Sequence, residues 1–217
     1  MSNEDSFINE VSDEVRRERL YGYVRRYGWI AAVAIVIFVG GAAFNEWRKA
    51  SARAEAQALG DAILTALENE EAGARSAALD TVTAEGTGAA LLAMITAAED
   101  IEAGDQDAAI ARIEAIAGNG TIDALYRDLA TLKLVQLRGE SLAPADRRAQ
   151  LEPLAAPGAP YRPLALELIA LAHVDAGETD DALGVLNDIL ADGETPPGLR
   201  RRASQLIVAL GGSIDAT

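Results

Sequence analysis

The sequence predicts an all-α chain: a single N-terminal transmembrane helix followed by an α-solenoid of helical hairpins. Three observations carry this. From Tyr27 through Phe44 there is no charged side chain. After that run, helix-forming segments alternate with short glycine-containing breaks, without strand-like alternation. Finally, the chain resembles itself at an offset of 73 residues.

Residues 1–26 read as a charged tail. It holds Glu4, Asp5, Glu10, Asp13, Glu14 and Glu18, with few apolar residues. Val11 and Val15 share a helical face, so a surface-lying helix and a disordered tail both fit.

Residues 27–47 (YGWIAAVAIVIFVGGAAFNEW) are next. Bilayer hydrocarbon needs roughly 20 helical residues, and this stretch supplies them. Arg25 and Arg26 precede it and Arg48 and Lys49 follow, while Tyr27, Trp29 and Trp47 stand where aromatic side chains meet headgroups. Gly41-Ala42-Ala43 offers small residues of the kind a signal peptidase cleaves after, yet the acidic segment ahead is unlike a short basic leader. The expectation is an uncleaved anchor in contact with lipid. Five arginines before the run (Arg16, Arg17, Arg19, Arg25, Arg26) outnumber Arg48, Lys49 and Arg53 after it. By the positive-inside rule the N-terminus is cytoplasmic, and in a bacterium with two membranes the remainder is periplasmic.

Residues 48–217 are long enough for one domain with its own core. The chain carries a formal charge of −15, and residues 50–217 hold 12 basic against 27 acidic groups, which argues against nucleic acid as a partner. Cysteine is absent, excluding disulfides and thiol chemistry. The first segment continues the helix, with Ala56, Leu59, Ile63 and Leu67 on one face. Breaks then fall at 72–73, 85–88, 103–105, 118–121, 138–140, 157–160, 176–178 and 193–198, dividing the domain into about nine helices. Helix 164–174 is apolar on nearly every side, as if sandwiched, helix 181–191 has a single stripe, and the last helix, Leu199 to Leu210, reads as a closing cap.

The 73-residue offset sets AGDQDAAI at 103–110 over AGETDDAL at 176–183. It also pairs Ile113 with Leu186, Ile116 with Ile189, Ala130 with Ala203, and Leu134 with Ile207. Half of it is close to the ~34-residue period of helical-hairpin repeats. The pattern resembles the tetratricopeptide repeat: a small residue in the first helix (Ala97, Ala170), glycine at the turn (Gly104, Gly177), alanine five positions on (Ala109, Ala182), then a large apolar residue (Ile113, Leu186). These eight are the expected repeat-packing residues. Most of the family's aromatics are missing, no proline follows Gly118, and Pro144 stands where the middle unit should have alanine.

Candidate chemistry is sparse. His173 is the sole histidine and lies inside the most apolar helix, where a packed or hydrogen-bonded role is expected. The acidic cluster Glu178, Asp180 and Asp181 lacks the ligand order of a calcium loop. Asp180 and Asp181 instead suit a helix N-terminus, with Thr179 as its cap. Arg200 to Arg202 read as a solvated run, and Pro153, Pro157, Pro160 and Pro163 as a stiff spacer. No catalytic, cofactor or metal residue emerges, so the default function is protein binding.

Tail, span and degenerate repeat domain together resemble the family containing the ancillary subunit of the SecYEG translocon. That resemblance implies a bacterial inner-membrane adaptor whose protein partners are Sec translocon subunits and a membrane-anchored periplasmic chaperone. Other readings remain open: a scaffold for cell-envelope assembly, and an enzyme without a recognisable site.

Overall fold

The structure is a computed structural model that describes residues 4–213, with side chains of residues 4–24, 27, 28, 31 and 32 left aside. The expected tail thus falls almost wholly outside the described side chains. All regular structure among the described residues is helical. The chain forms two compact units, 1–57 and 58–217. Helix α1 (Glu4–Leu67) runs without interruption through the boundary between them. The boundary drawn at residue 48 from the sequence therefore lies within a helix.

Beyond α1 the second unit contains α2 (Ala72–Leu79), α3 (Gly86–Glu102), α4 (Gln106–Ala117), α5 (Ala124–Arg138), α6 (Pro144–Leu151), α7 (Arg162–Asp175), α8 (Thr179–Ala191) and α9 (Pro197–Ala209). Consecutive helices pack as hairpins, α3 with α4, α5 with α6, and α7 with α8. Lateral contact runs along the first helices, since α5 touches both α3 and α7, and α7 touches α9. The result is an α-solenoid.

The glycine logic holds at the two matching turns. Gly104 and Gly177 have φ of +83° and +76°, a left-handed conformation that side-chain-bearing residues adopt only with strain. At α4, Asp105 then caps the new helix by accepting from Ala108 N at 3.0 Å. At α8 the equivalent residue is Glu178, which makes no cap bond. Thr179, expected as the cap, is instead the first helical residue; Asp180 and Asp181 do lie in the first turn, where carboxylates favour the helix dipole. The break expected at 72–73 falls earlier, at 68–71, and Gly73 is inside α2. Asn69 Nδ2 donates to Ala66 O at 2.8 Å, and Arg75 Nη1 donates to Glu70 O at 2.9 Å, so side chains rather than glycine shape that turn.

Three small cores lie in series. The first joins α3, α4 and α5 through Ala97, Ala109, Ile113, Ile116, Ala130 and Leu134. The second joins α5, α6 and α7 through Leu132, Val135, Leu151 and Ala165. The third joins α7, α8 and α9 through Ala170, Leu186, Ile189, Ala203 and Ile207. The first and third are thus built from residues at the 73-residue offset. The middle hairpin is the short one: Pro144 starts α6, which lasts only eight residues before a 3₁₀ turn at Glu152–Ala155.

Helix α7 is less enclosed than its composition implies. Ala165, Ala170 and Ala172 are fully buried, but Leu164 and Leu171 are exposed. Helix α9 closes the end with Leu199, Ala203 and Ile207 inward and Arg201 and Arg202 outward.

Thr195 sits at the offset position of Ile122, and both are buried. Where the first repeat has isoleucine, the buried threonine hydroxyl has no hydrogen-bond partner. Thr195→Val keeps the shape and removes that cost, and is expected to raise the unfolding free energy by about 1 kcal/mol or more in urea titration. Conversely, Leu186→Ala empties a fully buried site, with an expected loss of about 2 to 5 kcal/mol in the same measurement. Nothing crowds a Cβ added at Gly177, so Gly177→Ala is expected to cost only the backbone strain, about 1 to 2 kcal/mol.

Candidate functional site

Arginine–carboxylate pairs lock neighbouring helices and thereby fix the surface they present. Arg112 on α4 reaches Asp80 after α2 with two bonds, at 2.6 and 2.8 Å, and Asp100 on α3 at 2.6 Å. Asp100 is buried and also accepts from the Ser76 hydroxyl. These hydrogen bonds, chiefly those Arg112 donates to Asp80, hold the Arg112 pKa above the usual arginine range, against partial desolvation. Further along, Arg138 pairs with Glu114, Arg147 with Asp175, Arg162 with Asp192, and Arg202 with Glu167. Burial, more than the nearby charge of Asp128 or the neighbouring Tyr126, raises the Tyr161 phenol above its ordinary value.

His173 belongs to one of these locks. Its Nδ1 lies 2.6 Å from Glu178 Oε2, and Arg148 Nη1 donates to the same oxygen at 2.9 Å. With Asp181 nearby, His173 and Glu178 are the one grouping among the described residues that brings three ligand-type atoms within 4.8 Å. The shared oxygen is already committed to an arginine, so an ion there must compete with a formed ion pair. The half-buried histidine has a hydrogen-bonded, helix-joining role.

Of the expected repeat-packing residues, Ala97, Ala109, Ile113, Ala170, Ala182 and Leu186 are all buried, and Gly104 and Gly177 occupy the turns. They make the inside of the array, not a binding face. The binding face itself was not named from the sequence. Exposed leucines stand on three adjacent first helices, Leu91 on α3, Leu125 on α5 and Leu164 on α7, spaced by 34 and 39 residues. Leu91 and Leu164 are related by the 73-residue offset, which was the available signal. Ile101 and Leu171 are exposed as well.

In the first unit, the run from Trp29 to Trp47 carries exposed apolar side chains at consecutive positions, including Ile35, Val36, Ile37, Phe38 and Val39. Consecutive residues are about 100° apart on a helix, so the exposure goes round the whole circumference. Arg25, Arg26, Trp29, Trp47, Arg48 and Lys49 are likewise exposed, and the Phe44 and Trp47 rings lie 6.0 Å apart. Tyr27 lies outside the described side chains. Among the described residues, no helix is long and apolar enough to cross a membrane; Tyr27, Gly28, Ala31 and Ala32 of this run are not among those with described side chains.

Serial hairpins joined by left-handed glycine turns define a repeat scaffold of the protein-interaction class. The family model described as tetratricopeptide repeat-like domain matches residues 22–194, most of the chain, and the chain belongs to that family. The match is to the repeat family alone and names no translocon component. No curated protein and no solved structure matches the chain.

Arg112→Met strands the buried Asp100 carboxylate, leaving Ser76 as its remaining bond. The expected cost is about 3 kcal/mol or more in chemical denaturation, with the Asp100→Asn change in the same background restoring part of it.

Proposed function

We propose that this chain is a membrane-anchored, non-enzymatic adaptor that binds other proteins through its repeat domain. The observation that carries the reading is the apolar exposure round the helix from Val33 to Phe44. A soluble surface rarely carries an uninterrupted apolar girdle of this kind, and lipid is the environment that relieves it. Flanking arginines and tryptophans support residues 27–47 as the inserted segment. The family match begins at residue 22, so it takes in this run together with the repeats.

The arginine excess before the run supports a cytoplasmic N-terminus and a periplasmic repeat domain, at the inner membrane of a bacterium. In this reading the adaptor stands next to the Sec translocon and helps pass translocated proteins to periplasmic chaperones. The support is architectural: tail, span and degenerate repeats in that order. The leucines on α3, α5 and α7 are the contact row for the protein partner.

Substituting arginine at both Ile35 and Val36 is expected to shift the chain from the membrane to the soluble fraction, since each arginine at the centre of a span costs about 2.5 to 3.5 kcal/mol. Photocrosslinking from positions 31–41 and from Ala56 in full-length protein is expected to give adducts with translocon subunits and a periplasmic chaperone. Adducts confined to cell-wall or outer-membrane assembly proteins would transfer the adaptor to envelope scaffolding. Unchanged membrane association of the double arginine variant would remove the anchor.

A further inference from the structure

Where the approach to α7 meets the turn between α8 and α9, the surface is hollowed into a cavity of about 650 Å³. Ligand-binding clefts commonly fall between about 300 and 1,000 Å³. Its walls include Pro157 and Pro160 ahead of α7, Pro163 in the first turn of α7, and Pro196 just before α9. Proline fixes its own φ and offers no backbone donor, so these walls keep their shape and present apolar ring faces. A ligand entering such a preformed site meets little ordering cost.

Three carboxylates line the cavity, Asp188, Asp192 and Glu194, against one guanidinium, Arg162. Asp192 is spoken for: Oδ2 accepts from Arg162 Nη1 at 2.7 Å and Oδ1 accepts from Glu194 N at 2.9 Å. Arg200, close by, spends Nε on Thr195 O and Nη2 on Asp192 O. Among the described residues no cation pairs with Asp188 or Glu194. The hollow therefore combines proline-stiffened walls, a lining that is more polar than apolar, and two uncompensated carboxylates.

The rest of the repeat unit points to the same occupant. Arg75, Arg112, Arg138, Arg147, Arg148, Arg162 and Arg202 are all bonded to carboxylates of this chain. Most of the unit's arginines are thus paired internally and the surplus on the surface is acidic, which draws in basic segments over distance. We propose that this cavity is a second binding site, separate from the leucine row, that takes a lysine or arginine side chain from an extended basic segment of a partner protein. The aliphatic stem lies along the proline rings and the charged end reaches Asp188 and Glu194, the usual division of labour in a long cationic side chain. This site goes beyond the adaptor reading and stands whether or not residues 27–47 are inserted in a membrane.

The test uses the full chain in nanodiscs of zwitterionic phosphatidylcholine, with a short fluorescein-labelled peptide of alternating lysine and alanine followed by anisotropy. The peptide is expected to bind, and its glutamate counterpart is not. Paired Asp188→Asn and Glu194→Gln changes are expected to weaken binding by about tenfold or more. Ala191→Trp, which fills the cavity and leaves its charge intact, is expected to weaken it comparably. A control pair of equal charge change, Asp61→Asn with Glu68→Gln, is expected to leave affinity within about twofold. Equal weakening by both carboxylate pairs, full binding by Ala191→Trp, or no binding to the unaltered chain would each overturn the site.

Discussion

Helices in the repeat unit come together because alanine stands where they cross. Ala90, Ala109, Ala130, Ala165, Ala170, Ala172 and Ala182 are each wholly enclosed, and Ala97 and Ala203 nearly so. A methyl group at the crossing lets two backbones approach closely, and larger residues such as Ile113 and Leu186 then fill the space between hairpins. Each alanine buries little area, so the close approach contributes more through packing contacts than through apolar transfer. Enlarging any of them forces the helices apart, and with them the register of everything outside.

Such lean cores leave part of the work to charge. The pairs formed by Arg75, Arg112, Arg138 and Arg147 join residues 12 to 32 positions apart. They therefore bridge different helices instead of bracing one. Pairs at the surface contribute little individually, but Asp100 and Arg147 are buried, and there a missing partner is costly. Their value lies in register: a planar guanidinium with two carboxylates, as at Arg112, is satisfied in only one arrangement of the three helices.

The helical succession was legible because glycine and the apolar spacing speak locally. The turns at 103–105 and 176–178 could be placed from sequence, and their glycines are left-handed, whereas Gly118 at the next break has φ of −83° and ends α4 without that device. The turn at 68–71 was misplaced since it is shaped by Asn69 and by Arg75 reaching back to the chain. Repeat offset alone linked Leu91 with Leu164 and Ile122 with Thr195, yet exposure separates the first pair from the second. What the sequence withheld is long range: that Arg148 would join His173 at Glu178, or that two proline-bearing stretches some thirty residues apart would wall one cavity. Those depend on how hairpins stack, which no local pattern encodes.

Three separate cores in series also set how the unit can come undone. A globule with one centre loses its structure all at once, but here α8 and α9 pack chiefly on α7 in the third core, which meets the second at Ala155. Unravelling therefore has a direction: the C-terminal hairpin and its cap can detach while the α3–α5 core stays whole, and the short α6 is the natural seam. A load applied at that end would be absorbed one hairpin at a time, giving a compliant spring in place of a brittle block.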